Sequence, residues 1–250
     1  MIIRKLFHHA GALTALCVLT CSPSGNVHAQ DDGATEFLNQ MGEAIAGLDE
    51  FIVTGDGYTD DRLDAGQIIE HSMDVTMRVS RPGGAMRITN IDSEGTKEIY
   101  YGDGDLTVFN TTGNFYAQRN MPEGIDAAAE FAVNELGIDA PMLDFVFNDV
   151  ADHFLEDAES VDYFGLSLFR GKTYHQIGIR YPEIDVQVWI AAEGEPLPGK
   201  LAISSKWEAG SPRSIFFFSW DTSPDFDRSG FAFEPPEGSA RIAFEFDVDQ

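Results

Sequence analysis

Cysteine is nearly absent from this 250-residue chain. Its two cysteines, Cys17 and Cys21, both lie ahead of Gln30, where a cleaved mature chain would begin. A chain that starts at Gln30 has no disulfide, even in an exported compartment that permits disulfides. Thiol nucleophiles and thiolate metal ligands are excluded by the same count.

Basic residues are also scarce, with 16 Lys and Arg against 42 Asp and Glu, for a net charge of −26. A surface this acidic repels phosphate backbones and anionic headgroups. Nucleic acid is therefore not expected as a partner. The charge is typical of a protein that stays dissolved in the cell envelope. Steering toward a basic envelope protein is the alternative.

Catalytic motifs are missing as well. Beyond residue 29 the histidines are His71, His153 and His175, which are far apart and lack the paired spacing of a zinc site. The segment Gly165–Phe169 lacks the second glycine of a nucleophile elbow, and the chain has no phosphate loop or dinucleotide fingerprint. Carboxylates are too abundant for a pair of them to indicate glycoside hydrolysis. We therefore predict no catalytic residue, metal or cofactor, and a protein that is not an enzyme.

Long hydrophobic runs are lacking too. The apolar stretch 10–19 is about half of the ~20 residues that a membrane-spanning helix needs. It follows Arg4 and Lys5 and precedes Val27-His28-Ala29, a pattern typical of a signal peptide over residues 1–29. The mature chain is expected to be periplasmic, without a transmembrane segment.

Cys21 offers a second interpretation of the same segment. It follows Val18-Leu19-Thr20, which resembles a lipoprotein processing box, although Thr20 replaces the usual small residue. Acylation of Cys21 would anchor the protein to a membrane and is the alternative to cleavage after Ala29.

The mature chain contains several runs in which apolar and polar residues alternate. In the run 69–80, Met73, Val75, Met77 and Val79 alternate with polar residues, which predicts a half-buried strand. Similar runs, separated by hairpin turns, give about eleven strands. We expect them to form one large curved antiparallel sheet or half-open β-barrel, in a single mainly β domain over residues 30–250.

Two regions have the helical period instead. Phe37, Leu38, Met41 and Ile45 predict an N-terminal helix, and the ranges 125–136 and 142–147 predict central helices. Helices inserted into a run of strands are expected to cover the sheet. If the central helices form a lid over the sheet, an apolar cavity lies beneath them.

Aromatic residues cluster in the second half of the chain and are the one suggestive feature for binding, although an ordinary core has the same composition. Periodicity selects eight candidate cavity residues. If the assumed alternation of a strand is shifted by one residue, all its selected side chains lie on the opposite face of the sheet. The candidates for an apolar ligand-binding cavity are Phe131, Leu136, Leu143, Val146, Phe164, Leu166, Val188 and Phe217.

The order of segments resembles the DUF2092 family of predicted periplasmic proteins, over roughly residues 34–244. The most specific matching stretches are Asp185-Val186-Gln187-Val188-Trp189-Ile190, Pro196-Leu197-Pro198-Gly199-Lys200-Leu201 and Phe231-Ala232-Phe233-Glu234-Pro235-Pro236. Further matches are the opening helix with Met41 and Leu48, the segment 100–104 and the region 137–143.

At the level of fold, that family is similar to the lipoprotein-localisation carriers (LolA/LolB-like) and to lipoprotein-like envelope sensors. This resemblance implies a half-open barrel closed by helices around a cavity for acyl chains. The carriers close their lid with a strand arginine, and Arg78, Arg87 and Arg180 each have a suitable strand position. The expected function is non-catalytic binding of an acyl chain, lipid or lipoprotein anchor. The alternative is an acidic envelope scaffold with a filled core and no ligand.

Overall fold

The computed structural model describes residues 32–121, 123–134 and 142–244. Within these ranges three α-helices and two 3₁₀ helices accompany the strands. The helices are α1 (Asp32–Ala46), α2 (Ile125–Asn134), α3 (Val150–Leu155), η1 (Leu143–Val146) and η2 (Arg228–Phe231). Two of them, α2 and η1, fall within the predicted central helices, and α3 is a separate short helix after them.

The described residues contain twelve strands, one more than the sequence predicted. The first six precede the central helices: β1 (Glu50–Arg62), β2 (Ile68–Ser80), β3 (Ala85–Asp92), β4 (Gly95–Gly102), β5 (Asp105–Asn110) and β6 (Phe115–Asn120). The others follow them: β7 (Ser160–Phe169), β8 (Lys172–Arg180), β9 (Ile184–Ala191), β10 (Pro198–Ser205), β11 (Arg213–Asp221) and β12 (Ala240–Ile242).

All twelve strands form one sheet in the order β12-β6-β5-β4-β3-β2-β1-β11-β10-β9-β8-β7. Each half is an antiparallel meander, and the halves join where β1 pairs with β11. Only β12 pairs in parallel, along β6. Over the described residues the sheet stays open, with β12 and β7 at its edges, so the predicted fold class is confirmed.

The core lies on one face of this sheet, which we call the inner face. Val75, Met77 and Val79 of β2 are at most 1% exposed, as their alternation predicts. The apolar stripe of α1, including Leu38 and Met41, is fully buried in the same cluster. Burial of such side chains stabilises the fold by about 1.5–3 kcal/mol each.

Helices α1 and α3 cross at very close range on the inner face. A Cβ atom at Gly42 would lie 2.8 Å from the Cβ of Ala151, closer than two carbon atoms can approach. Glycine in α1 and alanine in α3 therefore fix this crossing. The crossing anchors α3, the last helix before β7, to α1.

The opposite, outer face has its own small apolar cluster in the second half. It contains the buried residues Tyr174, Trp189 and Ala202, with Phe169 and Ile215 packed against them. Strand β11 consequently has apolar neighbours on both faces, which explains why residues 215–218 are apolar without alternation.

The C-terminal segment crosses the outer face of the first half as a strap, defined here as residues 228–242. Its Phe233 ring lies 5.0–5.4 Å from the rings of Tyr100, Phe109 and Tyr116. Beyond it, β12 pairs with β6. The Phe-Ala-Phe-Glu-Pro-Pro stretch therefore seals the outer face of β4–β6.

Replacing Phe233 with alanine should detach this strap. We expect the free energy of unfolding to fall by about 2 kcal/mol, below the range for a fully buried phenylalanine because Phe233 is only half-buried. Urea unfolding measures the change. The control is Phe115→Ala, which removes a ring that is 37% exposed. Equal small losses in both variants would contradict the role of Phe233.

Candidate functional site: the helical lid and its arginine latch

The candidate site lies where the central helices meet the inner face of the sheet. We define the lid as α2, η1 and α3, which connect β6 to β7. Helix α2 faces the sheet with small side chains, Ala128, Ala129 and Ala132, each at most 4% exposed. The 3₁₀ helix η1 presents larger ones, and the Phe145 ring packs 5.2 Å from Phe218 and 5.4 Å from Trp220.

A residual cavity lies between α2 and strands β3–β5. Its volume is about 10 Å³, enough for at most one water molecule. On the sheet side it is lined by Met86, Ile88, Ile99, Leu106 and the ring of Tyr101, whose hydroxyl donates to the carbonyl of Gly124. Drug-sized ligands occupy pockets of ~300–1,000 Å³, so this cavity is too small to hold one.

Arg81 lies in the turn after β2 and contacts the lid at η1. Its Nε donates to the carbonyl of Leu48 (3.1 Å), at the end of α1. Its Nη1 donates to the carbonyl of Val146 (2.6 Å) in η1 and to Oδ1 of Asn148 (3.2 Å). One guanidinium thus joins the sheet, α1 and the lid, which its rigid fork of donors makes possible.

Asn148 extends this contact to α2. Its side-chain amide donates to Oδ2 of Asp126 at 2.8 Å, in the first turn of that helix. Burial lowers the pKa of Arg81 from its ordinary value, while the carboxylates of Asp126 and Asp49 raise it. We call Arg81, Asn148 and Asp126 the latch, because together they hold α2 and η1 against the sheet.

The far end of the lid is held by different contacts. Tyr181, which is fully buried, donates its hydroxyl hydrogen bond to the carbonyl of Phe154 in α3. The Gly42–Ala151 crossing fixes α3 to α1 as well. Helix α3 is thus anchored by packing, η1 by its buried side chains Leu143, Phe145 and Val146, and α2 by the latch and its buried face.

A ring stack closes the inner face next to the edge strand β7. The His175 ring stacks on Phe37 of α1 with 3.8 Å between centroids, and its Nδ1 lies 3.0 Å from the hydroxyl of Tyr163. Desolvation lowers the pKa of His175. A neutral His175 imidazole can accept a hydrogen bond from the Tyr163 hydroxyl at Nδ1. This contact and the burial of the ring both favour the uncharged form of His175.

Four of the eight predicted cavity residues lie at or beside the lid. Leu143 and Val146 of η1 and Val188 of β9 are at most 2% exposed and belong to the inner-face core. Phe131 of α2 is half-buried, with the Arg119 guanidinium 5.5 Å from its ring centroid. Leu143 lines the residual cavity. Their binding role stays a prediction, and Leu136 lies outside the described residues.

The structure does not bring the other three into this site. Phe217 faces outward because its neighbours Phe216 and Phe218 face the core. A bulge in β7 at Gly165 (φ +92°) turns Phe164 to the outer face, where it is 65% exposed. Leu166 keeps the inner face but is 64% exposed, because α1 covers β7 at Tyr163, whose ring lies 5.2 Å from Phe37, and leaves Leu166 open.

The sequence offered three strand arginines without choosing among them, and two of these make ion pairs away from the latch. Arg87 pairs with Glu98 at 2.7 Å, and Arg180 lies 3.8 Å from Asp185. Arg81 sits in the turn Arg81-Pro82-Gly83-Gly84, which predicts only a change of direction. The polar residues Asp126 and Asn148 have no sequence spacing that links them to Arg81, so only the fold reveals the latch.

None of the described helices is long and apolar enough to cross a membrane. The same residues contain no cluster of three or more His, Cys, Asp or Glu side chains able to hold a metal ion.

Several solved structures are similar to this chain. An uncharacterized conserved protein from Thermus thermophilus has a similar fold, with a TM-score of 0.51 and 7% identity, covering 85% of this chain and 99% of that one. The lipoprotein LppX from Mycobacterium tuberculosis has a TM-score of 0.47 and 16% identity, covering 79% of this chain and 100% of its own. A LolA superfamily protein from Nitrosomonas europaea has a TM-score of 0.36 and 13% identity, covering 80% of this chain and 97% of its own.

No curated protein matches the chain. Residues 34–245, however, match the family described as predicted periplasmic proteins, DUF2092. This match confirms the predicted family and periplasmic localisation, and the chain belongs to the DUF2092 family of predicted periplasmic proteins.

Proposed function

We propose that this protein binds an acyl chain, of a lipid or of a lipoprotein anchor, beneath its lid in the periplasm. The observation that carries the proposal is an apolar patch on the inner face of β3–β5, formed by Met86, Ile88, Ile99, Leu106 and the ring of Tyr101, which α2 covers with Ala128, Ala129 and Ala132. At this patch the departure of α2 exposes less apolar area than the departure of large side chains would, and the larger cost of opening lies in Ile125 and Val133 of α2 and in the buried residues of η1.

Binding then exchanges one apolar contact for another. The latch opens, α2 and η1 swing from the sheet, and the acyl chain takes their place against Met86, Ile88 and Leu106. Each buried methylene contributes about 0.8 kcal/mol, less the cost of undocking the lid. A single chain therefore binds reversibly, as a carrier or sensor requires.

A second function has its own supporting observation. The residual cavity of about 10 Å³ is what a protein with a permanently filled core would show. In that case the acidic surface, with a net charge of −26, would recruit a basic envelope partner and no ligand would enter.

Native mass spectrometry separates the two functions. The mature protein is purified from its own periplasm and compared with a sample extracted by organic solvent. An added mass that disappears on extraction supports the binding protein, and fluorescent fatty acid should then restore a bound state. A ligand-free mass, with no uptake of the fatty acid by either sample, would overturn the proposal.

The latch offers a sharper variant for the same assay. Asp126→Asn keeps the size of the side chain but weakens its hydrogen bond to Asn148. If lid opening limits binding, this variant should bind fluorescent fatty acid faster than wild type. Asp105→Asn is the matched control, because Asp105 accepts a similar bond from Asn120 (2.7 Å) away from the lid.

A further inference from the structure

A second cavity lies on the outer face of the first half, between the sheet and the strap. Its volume is about 320 Å³, within the ~300–1,000 Å³ range of ligand pockets and far above the 10 Å³ beneath α2. Strands β4, β5 and β6 form its floor, the turns after β2 and β4 form its sides, and residues 231–233 of the strap cover it. We call it the strap cavity.

A glycine keeps part of this cavity open. Gly102 is the last residue of β4 and lines the cavity. Apart from its neighbours in the chain, the atoms nearest to a Cβ at Gly102 would be the Cβ of Ala85 at 3.8 Å and the carbonyl oxygen of Phe231 at 4.0 Å. Since both of these residues line the cavity too, any larger side chain at position 102 would occupy its space.

Two polar side chains line the strap cavity without a hydrogen-bond partner. Thr107 of β5 is only 2% exposed, and its hydroxyl has no partner among the described residues. Gln118 lies directly opposite on β6 and is half-buried, and its side-chain amide has no partner in that part of the chain either. Buried polar groups in folded proteins are nearly always hydrogen-bonded. A molecule that hydrogen-bonds to both groups would supply the missing partners.

The charged side chains that line the cavity are carboxylates. Asp103 lies in the turn after β4 and Asp105 begins β5, and the described lining contains no Lys, Arg or His. Arg87 lies 4.7 Å from the centroid of the Tyr100 ring, but its charge is paired with Glu98 at 2.7 Å and it does not line the cavity. A cavity with this lining repels anions and attracts cations.

Aromatic rings line the same cavity. The rings of Tyr100 and Phe233 are 5.4 Å apart between centroids, and Phe231 lies beside them. An aromatic ring attracts a cation and also buries the carbon chain attached to it. A bare metal ion does not suit this lining, because the described residues contain no cluster of three His, Cys, Asp or Glu side chains able to hold one. An ammonium group on a short carbon chain matches both the carboxylates and the rings.

We propose that the strap cavity binds a small organic amine. The ammonium group lies at Asp103 and Asp105, whose carboxylates accept its hydrogen bonds, and the carbon chain lies along Tyr100 and Phe233. The unpaired hydroxyl and amide on β5 and β6 bind a second polar group of the ligand. This site goes beyond the proposed function, because it lies on the opposite face of the sheet from the lid.

Isothermal titration calorimetry of the mature protein with 1,4-diaminobutane tests the site. We expect saturable binding of one diamine per protein, and weaker binding at high salt because the contact is ionic. The diol 1,4-butanediol and the dianion succinate have the same chain length but no cation, so neither should bind. Absence of saturable diamine binding would overturn the proposal, and so would equal binding of the diol.

Two variants locate the binding in the strap cavity. Asp103→Asn removes one carboxylate and keeps the turn, because asparagine also tolerates the positive φ of 52° at this position. It should weaken diamine binding about tenfold, the loss expected for one hydrogen bond to a charged group. Gly102→Val fills the cavity without a change of charge and should abolish binding. Asp64→Asn, at an exposed position of the β1–β2 hairpin, is the control for loss of one negative charge.

Equal losses of diamine binding in Asp103→Asn and Asp64→Asn would indicate diffuse attraction to the acidic surface and overturn the site. Urea unfolding checks that Gly102→Val is folded, and if it is not, the comparison of the two Asp→Asn variants decides. Fluorescent fatty acid binding should be the same in all three variants, because the lid lies on the inner face. Each of the two sites can therefore fail its test without the other.

Discussion

Arg81→Ala is expected to lower the free energy of unfolding by about 2–4 kcal/mol, because a charged hydrogen bond contributes ~1.5–3 kcal/mol and this residue makes three. The carbonyls of Leu48 and Val146 lose their donor, and the guanidinium no longer lies near the Phe51 ring, 5.8 Å from its centroid. Urea unfolding followed by tryptophan fluorescence measures the loss.

The same substitution should act on the lid before it acts on the sheet. Hydrogen exchange at the amides of Ala128, Ala129 and Ala132 is expected to accelerate in Arg81→Ala, while the amides of β9 and β10 keep their protection. Arg81→Lys retains the charge but not the fork of donors, so it should be intermediate. Arg62→Ala, at an exposed position, is the control for loss of one cation. Uniform acceleration across the sheet would contradict a latch.

Most of the strands were predicted from the alternation of apolar and polar residues. In β2 every second residue from Val75 to Val79 is buried, because one face of the strand meets α1 and the lid. The central helices were predicted from the helical period of their apolar residues. In α2 this period places Ala128, Ala129 and Ala132 on one buried face. Local pattern predicts such elements because each one must bury a single face.

The candidate site was only partly predictable, because it depends on contacts between distant segments. The bulge at Gly165 reverses the phase of β7, so alternation selected Phe164 where Tyr163 faces the inside. In β11 all of Phe216, Phe217 and Phe218 are apolar, so no phase could be read from them. The latch joins residues 65 and 67 positions apart in sequence, from Arg81 to Val146 and Asn148, and no local spacing signals it.

Phe145→Ala should strongly destabilise the protein. The Phe145 ring is 1% exposed and contacts the rings of Phe218 and Trp220. Removing a buried ring leaves a cavity that the surrounding side chains fill only in part, so we expect a loss of about 3–5 kcal/mol in the free energy of unfolding. Phe145→Leu, which keeps most of the volume, should lose much less. Phe226→Ala, at a half-buried position outside the lid, is the control for loss of a ring.

The two proposed functions differ in what this variant does to binding. If α2 and η1 open together, the weakened docking of η1 raises the population of the open form, and 3 kcal/mol corresponds to about a hundredfold in that population. Fluorescent fatty acid should then bind Phe145→Ala far more tightly than wild type, although the protein is less stable. If the core is permanently filled, stability falls by the same amount and no fatty acid binds. Destabilisation with tighter binding is thus the result that a carrier predicts and a scaffold does not.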